Sequence, residues 1–197
     1  MEITAAMVKE LRSQSGAGIM ECKSALKETQ GDVEEAITFL RKRGLAKADK
    51  KADRQTSEGV VGSYIHQGGK IGVMLELNCE TDFVANTPDF QELVRDIAMH
   101  IAAAKPRFAT REEVTEETLA KEREIFAHQA KESGKPENIV EKMVTGKMEK
   151  FYEENCVLEQ PFVKDTSVTI GELIKQKIAL LGENINIRQF ARFEING

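Results

Sequence analysis

Residues 60–77 read VVGSYIHQGGKIGVMLEL. Two β-rich runs, 60–66 and 71–77, flank Gln67-Gly68-Gly69-Lys70. Two such runs around a short glycine turn are the signature of a β-hairpin. The chain before this stretch repeats its apolar residues at helical spacing, and here the period drops to that of a strand. The hairpin decides between an all-helical chain and an α+β one, in favour of the second.

Working downstream, Pro88 suits the first turn of a helix. Phe90, Leu93, Val94, Ile97, Ala98 and Ile101 then recur at helical spacing as far as Lys105-Pro106. Two further helices are predicted, over about residues 116–133 and 136–155, joined at Gly134-Lys135-Pro136 as a helical hairpin. A shorter helix is expected over about 170–181. Gly182-Glu183-Asn184 then turns the chain into a last strand, 185–195. Alternation puts Ile185, Ile187, Gln189, Ala191, Phe193 and Ile195 on one face of that strand. Asn186, Arg188, Phe190, Arg192 and Glu194 fall on the other.

Upstream, the first 45 residues form three short helical patterns. Thr4 can cap a helix to about Ser13, with Val8 and Leu11 on its apolar side. After the glycine loop Ser15-Gly16-Ala17-Gly18, a second helix over about 19–29 buries Cys22, Ala25 and Leu26, and Gly31 stops it. Asp32 and Glu35 make a capping pair for a third helix with inner face Val33, Ala36, Ile37 and Leu40. Gly44 is expected just past its end. The charged residues from Arg41 to Arg54 lack the apolar content of a core. The expected organisation is a three-helix domain at 1–45, a charged linker at 46–57 and an α+β core domain at 58–197. That core would carry an antiparallel sheet of about three strands with packed helices and the helical hairpin at about 116–155. Three strands covered on one side leave an apolar face, which must meet helices or another chain.

Composition narrows the function. The 197 residues carry a net charge of −5, unevenly spread. Residues 1–57 hold 11 Lys/Arg and 9 Asp/Glu, and the remainder 17 and 24. An acidic body does not suit direct nucleic-acid binding, which needs phosphates neutralised. No apolar run approaches the roughly 20 residues that span a bilayer, so no membrane role is expected. Met1-Glu2-Ile3-Thr4 shows no leader pattern. Cys22, Cys79 and Cys156 are odd in number and far apart, the usage of a reducing cytoplasm.

Catalytic groupings are thin, and no cofactor is expected. His66, His100 and His128 are the only histidines, with none of the spacings of a metal site. There is no phosphate-binding glycine motif. A Cys79 hydrolase would require His66 to approach across the hairpin, with no orienting group to name; a small core residue is the plainer reading of Cys79. Two surface candidates remain. Ile19 and Met20 are adjacent at a helix start and point about 100° apart, so either one is exposed or both pack locally. Phe83 stands in Thr81-Asp82-Phe83-Val84. Aromatics are mostly buried, which argues for the core; a polar turn argues for the surface.

Longer motifs speak to function. Gly16-Ala17-Gly18-Ile19-Met20-Glu21-Cys22-Lys23 with Gly31-Asp32-Val33-Glu34 resembles the N-terminal module of translation elongation factor Ts. Asn78-Cys79-Glu80-Thr81-Asp82-Phe83-Val84-Ala85 resembles that family's core signature. Gly134-Lys135-Pro136, Glu159-Gln160-Pro161-Phe162 and Glu183-Asn184-Ile185 match later stretches. The resemblance implies a cytoplasmic guanine-nucleotide exchange factor for elongation factor Tu, with no covalent catalysis and no cofactor. It implies that Thr81, Asp82, Phe83 and Val84 disturb the Mg²⁺ site of the GTPase. It also implies that a ubiquitin-associated-like N-terminal domain makes contact through Arg12, Ile19 and Met20. The family often has two methionines where Ile19-Met20 stands. Longer members carry two core copies and this chain has length for one, which implies a homodimer. The runner-up function is a non-enzymatic adaptor binding proteins through residues 1–45.

Overall fold

The computed structural model describes residues 3–132, 134 and 136–195. Ser133 and Lys135, and with them part of the Gly134-Lys135-Pro136 turn, lie outside the described residues. The chain is α+β, with eight α-helices among the described residues and an antiparallel sheet of three strands. The helices are α1 (Ala5–Ser15), α2 (Ile19–Glu28), α3 (Val33–Asp49), α4 (Asp82–Ala85), α5 (Pro88–Ala104), α6 (Glu116–Glu132), α7 (Glu137–Asn155) and α8 (Ile170–Leu181). The strands are β1 (Glu58–Ile65), β2 (Ile71–Cys79), β3 (Pro161–Phe162), β4 (Asp165–Thr169) and β5 (Ile185–Glu194). By packing they form two compact units: Met1–Val60 with Asn78–Leu93 and Ile174–Asn186, and Val61–Leu77 with Val94–Leu173 and Ile187–Gly197.

The first unit begins with three helices around Leu11, Cys22, Ala25, Leu26 and Ala36, all fully buried. Val8, Val33, Ile37 and Leu40 pack against them, so the helical periodicity named the core. Thr4 caps α1 by accepting from Met7 N, and Asp32 caps α3 by accepting from Glu35 N at 2.9 Å. One boundary departs from the sequence reading. α3 does not end near Gly44 but runs on to Asp49. Gly44 is a site of close approach instead: a Cβ there would lie 3.2 Å from that of Ala179 on α8. A glycine in mid-helix costs about 1 kcal/mol, and the packing of α8 onto α3 is what it permits.

In the second unit the sheet order is β1-β2-β5. The hairpin closes at His66 N, which donates to Ile71 O. Val73, Leu75 and Leu77 of β2 are buried, as are Val94, Ile97, Ala98 and Ile101 of α5. Gly62 marks the tightest contact, since a Cβ there would sit 2.1 Å from Val94 Cγ1.

β5 corrects the single-face reading of the last strand. Ile185 and Ile187 are buried, whereas Gln189, Ala191, Phe193 and Ile195 are exposed. Arg188 and Gln189 are both exposed, after which Phe190, Arg192 and Glu194 become the partly covered side. Two consecutive exposed residues and an inverted alternation are what one extra residue in a strand produces. Arg192 explains the covered side, since its Nε and Nη2 both donate to Ala102 O near the end of α5.

α6 and α7 pack along one another. Val114, Phe151 and Cys156 form the buried cluster at their base, where Arg111 bonds Glu149 and Glu159 and lies over the Tyr152 ring. β3 and β4 form a small antiparallel pair not anticipated from sequence. Beside it, His100 is fully buried. Its Nε2 bonds Gln160 Oε1 at 2.9 Å, its ring lies against Phe162, and its Nδ1 finds no hydrogen-bond partner among the described residues.

Candidate functional site: a pinned turn carrying an exposed phenylalanine

β2 ends at Cys79, whose buried thiol donates to Thr81 O at 3.1 Å. Burial, and then the negative charge of Glu183, push that thiol above its ordinary value. It stays protonated and acts as a donor rather than a nucleophile. Thr81 is extended and opens α4, its Oγ1 accepting from Val84 N. The far end is closed by Asn86, whose N and Nδ2 both donate to Asp82 O, and by Thr87 Oγ1, which donates to Val84 O. Ala85 is buried beneath the turn.

The entry to the turn is held by the segment between α8 and β5. One oxygen of the Glu183 carboxylate accepts from Glu80 N (3.1 Å) and Thr81 N (3.0 Å), and the other from Thr81 Oγ1 (2.6 Å). Glu80 reciprocates: its carboxylate accepts from Asn184 N at 2.7 Å and pairs with Arg54. Asn184 is buried, and its Nδ2 donates to Ala52 O and Arg54 O. Glu80, Glu183 and Asn184 are thus structural anchors of the turn. The sequence places Glu183 and Asn184 in the turn before the last strand and Glu80 in a motif, but no local pattern shows their anchoring role.

On this anchored turn Phe83 is 81% exposed, and Asp82 beside it is exposed. Phe83 is therefore not a core residue. Burying such a side chain is worth roughly 1.5–3 kcal/mol, and the described fold takes little of that gain.

The second group of candidates lies at the loop between α1 and α2. Arg12 is exposed in the last turn of α1. Ile19 and Met20, the first two residues of α2, are both exposed, at 56% and 75%. Of the two alternatives the sequence leaves open, one exposed or both packed locally, neither holds, since both are exposed. They precede the positions Cys22, Ala25 and Leu26 that point inward, so neither reaches the core. Glu21 fixes this start. It accepts from Gly18 N at 3.4 Å and is bonded by Lys47 of α3. The Lys47 bond holds the Glu21 carboxyl below the usual carboxylate range.

Among the described residues, no three His, Cys, Asp or Glu side chains come together as a metal-binding group, and no helix is long and apolar enough to cross a membrane. His66 pairs with the Tyr64 hydroxyl at 3.1 Å. A third apolar surface is the outer face of the sheet. Gly62 faces Val94, so Val61 and Ile65 point outward. Met74 alternates with the buried β2 residues, and Phe193 with the inward Arg192. Gln189 Nε2 donates to Glu76 Oε2 across this face at 2.7 Å. Val61, Ile65, Met74, Phe193 and Ile195 are all exposed there.

Fold and turn together define a class: an α+β protein presenting a fixed apolar side chain on its surface. The family described as Elongation factor TS matches residues 1–197. Among curated proteins, the elongation factor Ts of Solibacter usitatus is 58% identical over 194 residues, covering 98% of this chain and 92% of that protein. That of Fervidobacterium nodosum is 59% identical over 195 residues, covering 99% of each. That of Carboxydothermus hydrogenoformans is 59% identical over 193 residues, covering 98% of this chain and 89% of the relative. The chain belongs to the elongation factor Ts family, and so to the translation elongation factors.

Proposed function

We propose that the chain is the guanine-nucleotide exchange factor for elongation factor Tu, working in the cytoplasm without a covalent step or a cofactor of its own. The observation that carries this reading is Phe83, left 81% exposed on a turn fastened at both ends. A GTPase holds GDP through backbone amides, a lysine and a Mg²⁺ ion bridging to phosphate oxygens. Thr81, Asp82, Phe83 and Val84 act on that site. Phe83 enters a space that opens only when the phosphate and Mg²⁺ region is distorted, and Asp82 brings a negative charge to a region that holds a cation.

Exchange follows by linkage. A factor that binds the nucleotide-free state more tightly weakens nucleotide binding by the same ratio. Phe83 burial alone supplies roughly 1.5–3 kcal/mol, a tenfold to hundredfold bias. The remaining preference falls to Asp82 and to the N-terminal module, read as ubiquitin-associated-like, with Arg12, Ile19 and Met20 on the partner.

A second copy of the chain completes the active form. The outer sheet face, with Val61, Ile65, Met74, Phe193 and Ile195, suits a twin sheet packed roughly 10 Å away. A twofold axis makes one patch serve both chains. Each Phe83 then serves one GTPase in a two-to-two complex. The adaptor reading would use Ile19 and Met20 but leave Phe83 idle. The test is a chase: elongation factor Tu loaded with fluorescent GDP is mixed with the protein and excess unlabelled GDP. Accelerated release supports exchange; binding without acceleration supports the adaptor.

A further inference from the structure

Helix α4 is only four residues long. A helix that short fixes several residues for few hydrogen bonds and has little cohesion of its own. Phe83 adds no anchoring, because it is exposed. The direction in which Phe83 points is therefore set at the entry to the turn. Thr81 Oγ1 is the joint there: it donates to Glu183 and accepts from Val84 N, the amide that follows Phe83. Glu183 itself is 102 residues away in sequence. It also takes the two successive amides of Glu80 and Thr81 on its other oxygen.

The convergence is chemical. Two backbone N–H groups and a hydroxyl are aimed at one point, and the two oxygens of the Glu183 carboxylate accept from all three. The clip is reciprocal, since the Glu80 carboxylate holds Asn184 N in return.

We propose that Glu183 is a positioning residue for nucleotide exchange, holding the Thr81–Val84 turn in the conformation that delivers Phe83 to the GTPase. This rests on Phe83 being the group that enters the partner. The advantage is preorganisation: a wedge already aimed does not lose conformational freedom when it binds. Glu183 acts only through the turn, so its removal cannot cost more than loss of the whole Thr81–Val84 contact, of which Phe83 supplies about tenfold to a hundredfold in rate.

The experiment measures GDP release from elongation factor Tu over a range of factor concentrations. The proteins are the parent, Glu183→Ala, Glu183→Gln, Phe83→Ala and the Phe83→Ala/Glu183→Ala double variant. Glu183→Ala should lower the maximal rate about tenfold. The half-saturating concentration should change little, because Arg12, Ile19 and Met20 sit on helices whose core does not include Glu183. Glu183→Gln should restore most of the rate. Its single oxygen can face the two amides while its NH₂ donates to the Thr81 hydroxyl, which is free to accept. In the Phe83→Ala background, Glu183→Ala should cost much less than in the parent, since coupled residues fail to add.

Equal losses in both backgrounds would overturn the proposal, as would a glutamine variant no better than alanine while both melt like the parent. If Glu183→Ala fails to fold, Glu183→Asp takes its place. One methylene shorter, it cannot reach all three donors, and the same loss of maximal rate and the same non-additivity are expected. An unaffected rate in Phe83→Ala alone would instead overturn the exchange reading on which this inference stands, and the two failures are distinguishable.

Discussion

Two of the exposed apolar surfaces, the turn and the outer face of the sheet, differ in kind. At the turn, one aromatic stands alone, held by hydrogen bonds to Glu183, Asn86 and Thr87. On the sheet, Val61, Ile65, Met74, Phe193 and Ile195 share one face, carried by β1, β2 and the end of β5. A single fixed side chain suits a contact that forms in one state of a partner and is lost in another. A broad face suits a contact that persists, because the buried area grows with every residue. The same apolar chemistry thus serves two purposes, according to how much surface surrounds it and how rigidly it is aimed.

That contrast can be broken first at the sheet. Met74→Glu places a charge in the centre of the outer face, and an unpaired charge in an interface costs several kcal/mol. Sedimentation should show the parent as a dimer and the variant as a folded species near the 22.0 kDa monomer mass at the same micromolar concentration. A parent that sediments as a monomer at high micromolar concentration, yet still drives exchange, would remove the sheet from the account.

A smaller effect is expected on the other side of the same sheet. Gly62→Ala forces a methyl to within 2.1 Å of Val94 Cγ1 unless something shifts. Overpacking of this kind costs about 1–3 kcal/mol. The melting temperature should fall while the exchange rate per folded molecule is retained, since the turn is built elsewhere. A loss of exchange larger than the loss of folded protein would show that the turn and the sheet are not separable.

Smaller still is the pH response of His100. Burial lowers its pKa below the ordinary 6.5, opposed by the bond to Gln160. The unfolded chain takes up the proton near 6.5, and the folded chain resists it. Stability is therefore fully present above that pH and declines as pH falls below it, towards the depressed folded value. Denaturation from pH 8 to pH 5 should show this slope, and His100→Leu should flatten it. An unchanged slope in that variant would assign the acid sensitivity to other groups.

Much of this architecture was legible beforehand because it rests on local pattern. The three-helix core followed from apolar spacing, the hairpin from Gln67-Gly68-Gly69-Lys70, and α8 from the run Ile170–Leu181. What was not legible depends on partners distant in sequence. Gly44 looked like a helix stop, and only its approach to Ala179 explains why α3 continues past it. β5 looked like uniform alternation, and only burial shows the change of phase between Ile187 and Phe190. β3 and β4 are too short for periodicity to register. At the turn, the motif singled out Thr81–Val84, yet composition alone argued for a buried Phe83. The anchoring by Glu183 and Asn184 joins segments more than 100 residues apart, and no local pattern encodes such a contact.

The central claim is that Phe83 is held out for a partner rather than for the fold, and Phe83→Ala tests it most directly. GDP release from elongation factor Tu should be followed at saturating factor, with thermal melting measured on the same preparation. The expected result is a tenfold to hundredfold slower release, from the roughly 1.5–3 kcal/mol that Phe burial supplies, with an unchanged melting temperature. Release as fast as the parent's, or a variant that no longer folds, would contradict the account.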